Sequence, residues 1–398
     1  MPDPLPLPEL ITLIITTSPT PSAPSTELVE ATLAGFRAHC PDLLSRGCRV
    51  VVVLDTYDRV GASARLKKGQ VTPEGAALAD AYRRNVRALV LREYGYGEPD
   101  LELELQSGPN AIAEYGSPCI ETNAVAYATT RTPDRRVTFI EPERRLGFGL
   151  AVREALRAAA TPYVWVQQHD WPLVRRVPLR GIVEVMRASE EDEEDGDVPP
   201  VRYVCLPSVR MLAYAASAHV LKFPALRRLT AGLKREFVVP STTTTTTTMT
   251  TTPDMVAVSE GEKEEEEGAS TSIPLTPLFF WHDKPHVASR AHYLARVFPS
   301  RLAVPRGAFI EDTIGHRARE QMKDGNWAKW ACWLYYPDEG RRVCLRHLNG
   351  RKWRGAEEEM RKKEMWMEAQ IVIPGEGVGG GGEGGDGGGD GDGVEKED

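Results

Sequence analysis

Four short apolar runs, rich in β-branched residues, alternate with segments of helical character in the first half of the sequence. Each run has the length of a β-strand, and a run that is apolar at nearly every position is typical of a strand covered on both faces. Strands that alternate with helices predict an α/β fold with a mostly parallel central sheet, in which ligands bind at the carboxyl ends of the strands. The runs are LITLIITT at 10–17, RVVVVL at 49–54, RVTFI at 136–140 and YVWV at 163–166.

The remaining elements are predicted from the spacing of apolar residues and from the glycine and proline residues that interrupt it. Three helices are predicted between the runs, at 27–39, 73–92 and 150–160. A strand at 201–206 and a helix at 287–298 are predicted further on. The segment WLYYPDEGRRVCLRHLNGR, which ends at Arg351, predicts two short strands around a turn, the second of them carrying His347.

Four tracts lack the apolar residues that would offset the entropy of ordering them. They are EEDEEDGD at 190–197, STTTTTTTMTTT at 241–252, EGEKEEEEG at 260–268 and the tail beyond Pro374. We therefore expect a single domain over 1–355, interrupted by insertions, and a tail at 356–398 that is acidic and helical at first and then Gly-rich and disordered. The expected insertions are a partly ordered segment at 56–135, an acidic loop at 188–199 and a disordered Thr/Glu-rich segment at 240–273.

Outside the acidic tracts, the chain has a positive net charge. The chain has a formal net charge of −8, but residues 190–197, 260–267 and 375–398 together carry −19, which leaves +11 for the rest. A basic core fits an anionic ligand such as a nucleotide, a phosphate or nucleic acid, although an arginine-rich composition produces the same surplus. The sequence has no RRM, KH, zinc-finger or helix-turn-helix signature, so nucleic acid is not the expected partner.

Cysteine usage and the amino terminus indicate the compartment. The six cysteines form no CxxC pair and no zinc-type spacing, which is typical of a reduced, intracellular chain. The segment MPDPLPLPELITLIITT lacks the basic start of a signal peptide, and no apolar stretch approaches the roughly 18 residues that span a bilayer. We therefore expect a cytoplasmic protein without a membrane span.

Acidic residues stand at three positions suited to chemistry. Asp55 directly follows the second run, and Asp170 follows the fourth run in QQHDW. Glu311 and Asp312 precede a helical stretch in AFIEDTIGH. Each position also has a structural explanation, because aspartates start turns and end strands, and acidic residues stabilise the first turn of a helix. The segment WHDKPH, which begins at Trp281, contains metal-ligand residue types but no recognised spacing.

The order of these elements resembles the GT-A glycosyltransferases, in particular the large inverting family that includes many polysaccharide-building enzymes. The resemblance covers about 10–175 and 275–350 and depends on strand order and short motifs. It implies a Rossmann-like nucleotide-diphospho-sugar transferase domain with helices on its sheet. It also implies a nucleotide-sugar donor and an acceptor that is a glycan, a protein or a small molecule.

The resemblance implies a donor site at the ends of the strands. Asp55 would contact the base or ribose of the donor. In RRLGFGLAVREAL, Gly147 and Gly149 would let the backbone approach the nucleotide, and Arg145 would offset the charge of the diphosphate. A flexible helix entry with solvated arginines explains the same stretch.

The family's metal motif, two aspartates separated by one residue, falls on Gln168, His169 and Asp170. The resemblance implies Mn²⁺ or Mg²⁺, but Gln168 occupies the place of the first aspartate, so the motif is incomplete. Gln168 would bind the sugar, and His169 and Asp170 would contact the donor or the metal. His347 would complete a metal site with Asp170, and Trp171 would stack on a sugar; structural roles for a single histidine and a buried tryptophan stay open.

An inverting transfer needs a carboxylate that removes a proton from the acceptor hydroxyl. By the resemblance Asp312 is the first choice for this base and Glu311 the second. Two other functions remain open. The incomplete metal motif is compatible with a degenerate, glycosyltransferase-like binding protein. A nucleotidyltransferase would carry a glycine-rich, basic loop after its first strand, where this chain has TTSPTPSAPS.

Overall fold

The computed structural model describes residues 5–45, 47–61, 69–97, 105–191, 199–240 and 270–371. The chain divides into two units between Gly355 and Ala356. Most of the predicted acidic loop at 188–199 (192–198), most of the predicted disordered segment at 240–273 (241–269) and the whole of the predicted disordered tail beyond Pro374 lie outside the described residues. Residues 188–191 are helical.

The strands and helices have the following bounds. The strands are β1 (Ile11–Thr17), β2 (Arg49–Leu54), β3 (Arg59–Val60), β4 (Gln70–Val71), β5 (Gln106–Ser107), β6 (Ala111–Glu114), β7 (Ala124–Arg131), β8 (Val137–Pro142), β9 (Tyr163–Gln168), β10 (Tyr203–Cys205), β11 (Arg235–Pro240), β12 (Ser270–Pro277), β13 (His286–Ser289) and β14 (Cys332–Tyr335). The helices are α1 (Leu7–Leu10), α2 (Glu27–His39), α3 (Pro73–Glu93), α4 (Phe148–Ala158), α5 (Leu179–Glu191), α6 (Ala218–Leu221), α7 (Pro224–Leu233), α8 (Arg290–His292), α9 (His316–Lys323) and α10 (Ala356–Ile371).

Within the described ranges, twelve strands form one mixed sheet. Its centre consists of four parallel strands in the order β9-β1-β2-β8. Antiparallel pairing extends the sheet on both sides, through β7 next to β8 and through β13 next to β9. The predicted α/β class, a central sheet flanked by helices, is confirmed, and the antiparallel strands are confined to the parts outside this parallel centre.

The central strands are apolar because both of their faces are covered. All seven residues of β1 are buried, and β2 is buried from Val50 to Leu54. An alternating pattern would instead indicate one solvated face. Helix α4 packs against β1 and β2. Phe36 of α2 meets Trp165 of β9 edge to face, with the ring centroids 5.7 Å apart.

The helix predicted at 287–298 is wrong in its first part. His286–Ser289 forms β13, which pairs antiparallel with both β9 and β10. All four of its residues are buried, because the strand lies between two others in the sheet. Only α8 and a π-helical turn at Tyr293–Val297 are helical. Pairing with two neighbouring strands therefore outweighs the local helical spacing of this segment.

The second of the two predicted C-terminal strands does not form. Leu345 makes an isolated antiparallel bridge to Leu173, and His347 lies in an irregular segment rather than in a strand. Backbone amides of this segment bond to two carbonyls outside the regular sheet. The Cys344 N–H donates to Pro207 O at 2.8 Å, and the Arg346 N–H donates to Pro172 O at 3.2 Å.

Two segments that were expected to be insertions contribute to the sheet. The segment 56–135 supplies α3 and the strand β7, which pairs with β8. Residues 270–273 belong to β12, which pairs with β11 and β14. Among the helices of the described ranges, none has the length and apolar character that a membrane crossing requires.

We expect Ile14→Ala to lower the free energy of unfolding by about 2–5 kcal/mol, because loss of a fully buried side chain at the centre of the sheet would leave a cavity. Ile14 of β1 is 0% exposed and lies opposite Val51 and Val166 of the neighbouring strands. Ile112→Ala is the matched control, since Ile112 of β6 is 58% exposed and should change stability by less than about 0.5 kcal/mol. Urea denaturation compares the two; similar losses would contradict the assignment of the core.

Candidate functional site

The predicted site residues gather at the carboxyl ends of β1, β2 and β9. The chain leaves β1 through α2 and continues to β2 on one side, whereas α4 leads from β8 to β9 on the other side. The strand order therefore reverses between β1 and β9, and a crevice opens at such a switch point in α/β sheets. His169 lies there: its N–H donates to Thr16 O at 3.1 Å, and its Nδ1 accepts the Ser18 N–H at 3.3 Å.

The side chain of Asp55 holds the backbone turn that precedes α4. Its Oδ1 accepts the N–H groups of Thr56 at 2.9 Å and Leu146 at 2.8 Å, and its Oδ2 accepts the Gly147 N–H at 2.9 Å. The side chain is buried, and burial raises the pKa of Asp55 while the three amides and the nearby Arg145 act in the opposite direction. The turn-forming role considered from DTYD is thus present; contact with a donor base or ribose stays a prediction.

The glycines of LGFGLA allow two loops to touch. Gly147 has φ 79°, and a Cβ on it would overlap the backbone of Gly307, which has φ 80°. A Cβ on Gly149 would lie 2.6 Å from a Val304 methyl group. The Gly149 N–H is also taken, because it donates to Ala308 O at 3.1 Å. The close approach in this structure is therefore to the loop 304–310 rather than to an open space, and approach to a nucleotide is untested.

The arginines near this turn have different environments. Arg145 is partly exposed and, within the described residues, forms no ion pair, so its charge is available to a ligand. Arg306 is occupied: it pairs with Asp58 and donates to Arg145 O at 2.9 Å. Arg153 of α4 is buried and pairs with Glu154 at 2.8 Å, so its charge is taken up inside the fold.

Gln168 joins the end of β9 to an acidic pair. Its Nε2 donates to Asp283 O at 2.8 Å. Asp283 and Glu311 are in turn bonded reciprocally: the Asp283 N–H donates to Glu311 Oε2, and the Glu311 N–H donates to Asp283 Oδ2, both at 3.2 Å. Glu311 and Asp312 therefore lie at the same end of the sheet as Asp170, which the catalytic interpretation requires.

Asp312 differs from its neighbour in exposure. Its side chain is exposed in the π-helical turn Glu311–Gly315, and in the described part of the chain it makes no hydrogen bond or ion pair. The Glu311 carboxylate accepts from the Asp283 N–H rather than from an amide of the turn. An exposed and unpaired carboxylate is the state that a general base needs before its substrate arrives.

His169 is a buried, neutral histidine at the end of β9, and its contact with a donor or metal stays a prediction. It is 8% exposed, and burial lowers its pKa, so the ring is uncharged near neutral pH. Its carbonyl accepts the Thr32 hydroxyl at 2.8 Å, which ties it to α2. Because Nδ1 accepts an N–H bond, Nε2 carries the proton of the neutral ring.

Asp170, Trp171 and His347 are brought together. The Nε2 of His347 lies 3.2 Å from Asp170 Oδ2, which also accepts the Gly350 N–H at 2.9 Å. Burial acts to raise the pKa of Asp170, yet the contacts with His347, His169 and Gly350 together lower it. The ring of Trp171 stacks on His347 with the centroids 4.2 Å apart. One face of Trp171 is therefore occupied by this ring.

The predicted metal pair does not amount to a metal site by itself. The described residues contain no group of three or more His, Cys, Asp or Glu side chains arranged around a common point. Asp170 and His347 supply two ligands, and the shared oxygen of Asp170 already receives two hydrogen bonds. Mg²⁺ is commonly bound by one or two carboxylates together with waters and substrate phosphates, so a metal role for Asp170 and His347 stays a prediction.

Arg351 is a functional candidate that no sequence motif singled out. It follows the Gly350 that bonds to Asp170, and its guanidinium lies 4.9 Å from the Phe309 ring centroid. Phe309 stacks on Phe148 at the start of α4, with centroids 5.6 Å apart. The C-terminal segment thus reaches from Asp170 to the glycine turn and brings a second solvent-accessible cation, after Arg145, to this edge.

Asp283 was also missed as a site residue. WHDKPH was considered only for metal spacing, and no periodic signal marks an aspartate whose partner lies 28 residues away. The Pro-Arg-Gly sequence in VPRGAF was the available signal for Gly307, because proline and glycine favour a turn and glycine, which lacks a Cβ, allows a positive φ. Its contact with Gly147 depends on the fold.

No protein-family profile matches the chain, and neither does any curated protein. Among solved structures the chain is similar to a mannosyltransferase from Pyrobaculum calidifontis in complex with GDP-Man and Mn²⁺, at 12% identity and a TM-score of 0.33, over 83% of this chain and 58% of that one. It is also similar to 2-C-methyl-D-erythritol 4-phosphate cytidylyltransferase from Thermus thermophilus, at 13% identity and a TM-score of 0.19, over 80% and 98%. The chain thus spans little more than half of the mannosyltransferase. TM-scores below 0.5 do not establish a common fold, so the function depends on the geometry of the site.

We expect Gly147→Ala to destabilise the protein by about 2 kcal/mol or more, because the new methyl group meets the backbone of Gly307 at a positive φ. Gly232→Ala in α7 is the control: nothing lies within 4 Å of its added Cβ, and an alanine in a helix should stabilise by about 0.5–1 kcal/mol. Thermal unfolding measures both. An unchanged melting temperature for Gly147→Ala would show that the two loops do not meet.

Proposed function

We propose that this protein transfers a sugar from a nucleotide-sugar donor to an acceptor hydroxyl, with Asp312 as the base. The observation that carries the proposal is the exposed, unpaired carboxylate of Asp312 at the same sheet edge as two solvent-accessible arginines, Arg145 and Arg351. Sugar transfer from such a donor needs both: cations for a diphosphate, and a carboxylate for the acceptor proton.

The donor side is supported by charge and by position. Arg145 precedes the turn held by Asp55, and Arg351 follows the segment held by Asp170. A diphosphate between the two guanidinium groups would gain hydrogen bonds to charged donors, which are worth about 1.5–3 kcal/mol each. The Arg351 guanidinium lies over the ring of Phe309, which stacks on Phe148 at the start of α4.

The acceptor side follows from the reaction. Asp312 takes the proton of the acceptor hydroxyl while the oxygen attacks the anomeric carbon, and the bond from that carbon to the diphosphate breaks. The nucleoside diphosphate leaves with the bonding electron pair, and the arginines stabilise its charge. Gln168 at the end of β9 donates to Asp283 O, and the role proposed for it is contact with the transferred sugar.

A sugar nucleotide with the matching base should raise the melting temperature, since a ligand at about 100 times its Kd adds about 2.7 kcal/mol of stability. We expect Arg351→Ala to weaken this binding about tenfold or more, through loss of a charged hydrogen-bond donor. Thermal shift with UDP-, GDP-, ADP- and TDP-sugars measures the effect, in the presence of Mn²⁺ and of EDTA. Arg317→Ala, an exposed arginine of α9, is the control.

The donor hypothesis fails if no sugar nucleotide shifts the melting temperature under either metal condition. A shift that Arg351→Ala leaves intact would reject the proposed diphosphate site while keeping nucleotide binding.

Asp312→Asn should lower kcat by about 10²–10⁴-fold and leave donor affinity unchanged, because the amide cannot accept the acceptor proton. Release of nucleoside diphosphate from the sugar nucleotide that binds reports turnover. Asp324→Asn, which changes an exposed aspartate beyond α9, is the matched control. Donor binding without turnover in the unmodified protein would favour the degenerate, binding-only alternative; full activity in Asp312→Asn would exclude this base.

A further inference from the structure

Asp283 is a buried carboxyl group whose bonds all lead to site residues. Its side chain belongs to the segment between β12 and β13 and is 3% exposed. Its carbonyl accepts the Gln168 amide, its N–H donates to the Glu311 side chain, and its Oδ2 accepts the Glu311 N–H. The remaining oxygen, Oδ1, is buried and has no partner in the described part of the chain.

We propose that Asp283 is a positioning residue, whose buried carboxyl group anchors the turn Glu311–Gly315 to the end of β9 and so holds Glu311 and Asp312 at the mouth of the cleft. The proposal rests on the proposed function for its catalytic consequence. Its structural part, a buried acid that holds a proton and anchors this turn, stands without it.

The anchor works through two hydrogen bonds in opposite directions. The Glu311 N–H is the first amide of the turn, and it has no helical acceptor because nothing precedes it in the helix. Asp283 Oδ2 supplies that acceptor from another segment. The return bond, from the Asp283 N–H to Glu311 Oε2, fixes the direction of the Glu311 side chain. Loss of the Asp283 carboxyl group removes the first bond and leaves the part-buried Glu311 amide without this acceptor.

The surroundings of Oδ1 favour a protonated Asp283. Buried unpaired charge is unfavourable by several kcal/mol in proteins, and a carboxyl group avoids this by holding its proton. Burial, followed by the negative charges of Glu311 and Asp312, raises the pKa of Asp283 well above its usual value. Burial also acts to raise the pKa of Glu311, but His282, Lys284 and the Asp283 amide together lower it. The pair therefore holds one proton, on Asp283, and one charge, on Glu311.

The other titratable groups that face Asp283 do not change charge in the same range. Burial lowers the pKa of both His282 and His286 to about 4, so these rings are neutral above pH 5. Burial raises the pKa of Tyr293 well above its usual value, so its hydroxyl stays neutral. Lys284 is the next residue in the chain. A pH effect between 5 and 8 that depends on the side chain of residue 283 therefore reports this carboxyl group.

The first test needs no substrate. A carboxyl group with a raised pKa in the folded state stabilises the protein at low pH, and this stabilisation is lost as the pH rises from its unfolded pKa through its folded one. Residue 283 cannot titrate in Asp283→Asn. The melting temperature of this variant minus that of the unmodified protein should therefore be higher at pH 8 than at pH 5 by roughly 2 °C or more. For Asp324→Asn, the difference in melting temperature from the unmodified protein should be the same at pH 5 and pH 8. In a Glu311→Gln background, the pH-dependent increase caused by Asp283→Asn should be smaller, because the neighbouring negative charge is absent.

The second test separates anchoring from general stability. Asn at position 283 keeps an oxygen that can accept the Glu311 N–H, whereas Ala does not. We expect Asp283→Ala to lower kcat about 10–100-fold with KM nearly unchanged, and Asp283→Asn to stay within about threefold of the unmodified protein. The activity measured is nucleoside diphosphate release from the sugar nucleotide that binds.

The outcomes are distinct. If the melting temperatures of Asp283→Asn and the unmodified protein differ by the same amount from pH 5 to pH 8, Asp283 is not protonated in the folded protein, whatever the activity. Equal kcat in Asp283→Ala and the unmodified protein overturns the positioning role. If the unmodified protein has no transferase activity, the proposed function fails, and the melting series still decides the anchor. If Asp283→Ala does not fold, the Asp283→Asn series carries the test alone.

Discussion

The carboxylate of Asp55 joins the end of β2 to the turn before α4, and the arrangement of the other site residues depends on this connection. A buried carboxylate is stable only when its oxygens accept hydrogen bonds, and here three backbone amides satisfy it. Two of these amides belong to the turn before α4. Because that turn is held against the end of β2, Gly147 faces Gly307, and the loop that follows delivers Glu311 and Asp312 to the same edge.

Burial divides the acidic residues into different roles. Asp55 and Asp170 are buried; three backbone amides donate to Asp55 and one, from Gly350, donates to Asp170, so both carboxylates hold backbone around the crevice. Asp283 is buried with one oxygen that has no partner among the described residues, which favours the protonated form. Asp312 is exposed and unpaired within the same ranges. The same residue type thus supplies anchors and a reactive carboxylate, and solvent access separates the two.

Much of the fold was predictable because it depends on local pattern. The continuous apolar runs predicted β1, β2 and β9, and the helical spacing predicted α2 and α3 close to their observed bounds. The prediction failed at β13, where AHYLARVF has helical spacing just after a buried four-residue strand. Such a short strand is specified by its two neighbours in the sheet rather than by its own residues. The strand expected around His347 failed for the converse reason, since among the described residues no neighbour pairs with it beyond one bridge.

The sequence by itself determined the fold class and the strand ends at which Asp55 and Asp170 stand, because periodicity and chain order set these locally. It also indicated that Glu311 and Asp312 are two adjacent acidic residues suited to the role of a base. Only the tertiary structure decided which carboxylate is buried, which arginine is free and which glycine meets another loop. Burial, the pairing of Asp283 with Glu311 and the approach of Arg351 arise between segments far apart in the chain. Contacts of that kind leave no periodic signal in a single sequence, since they depend on how the sheet brings its loops to one edge.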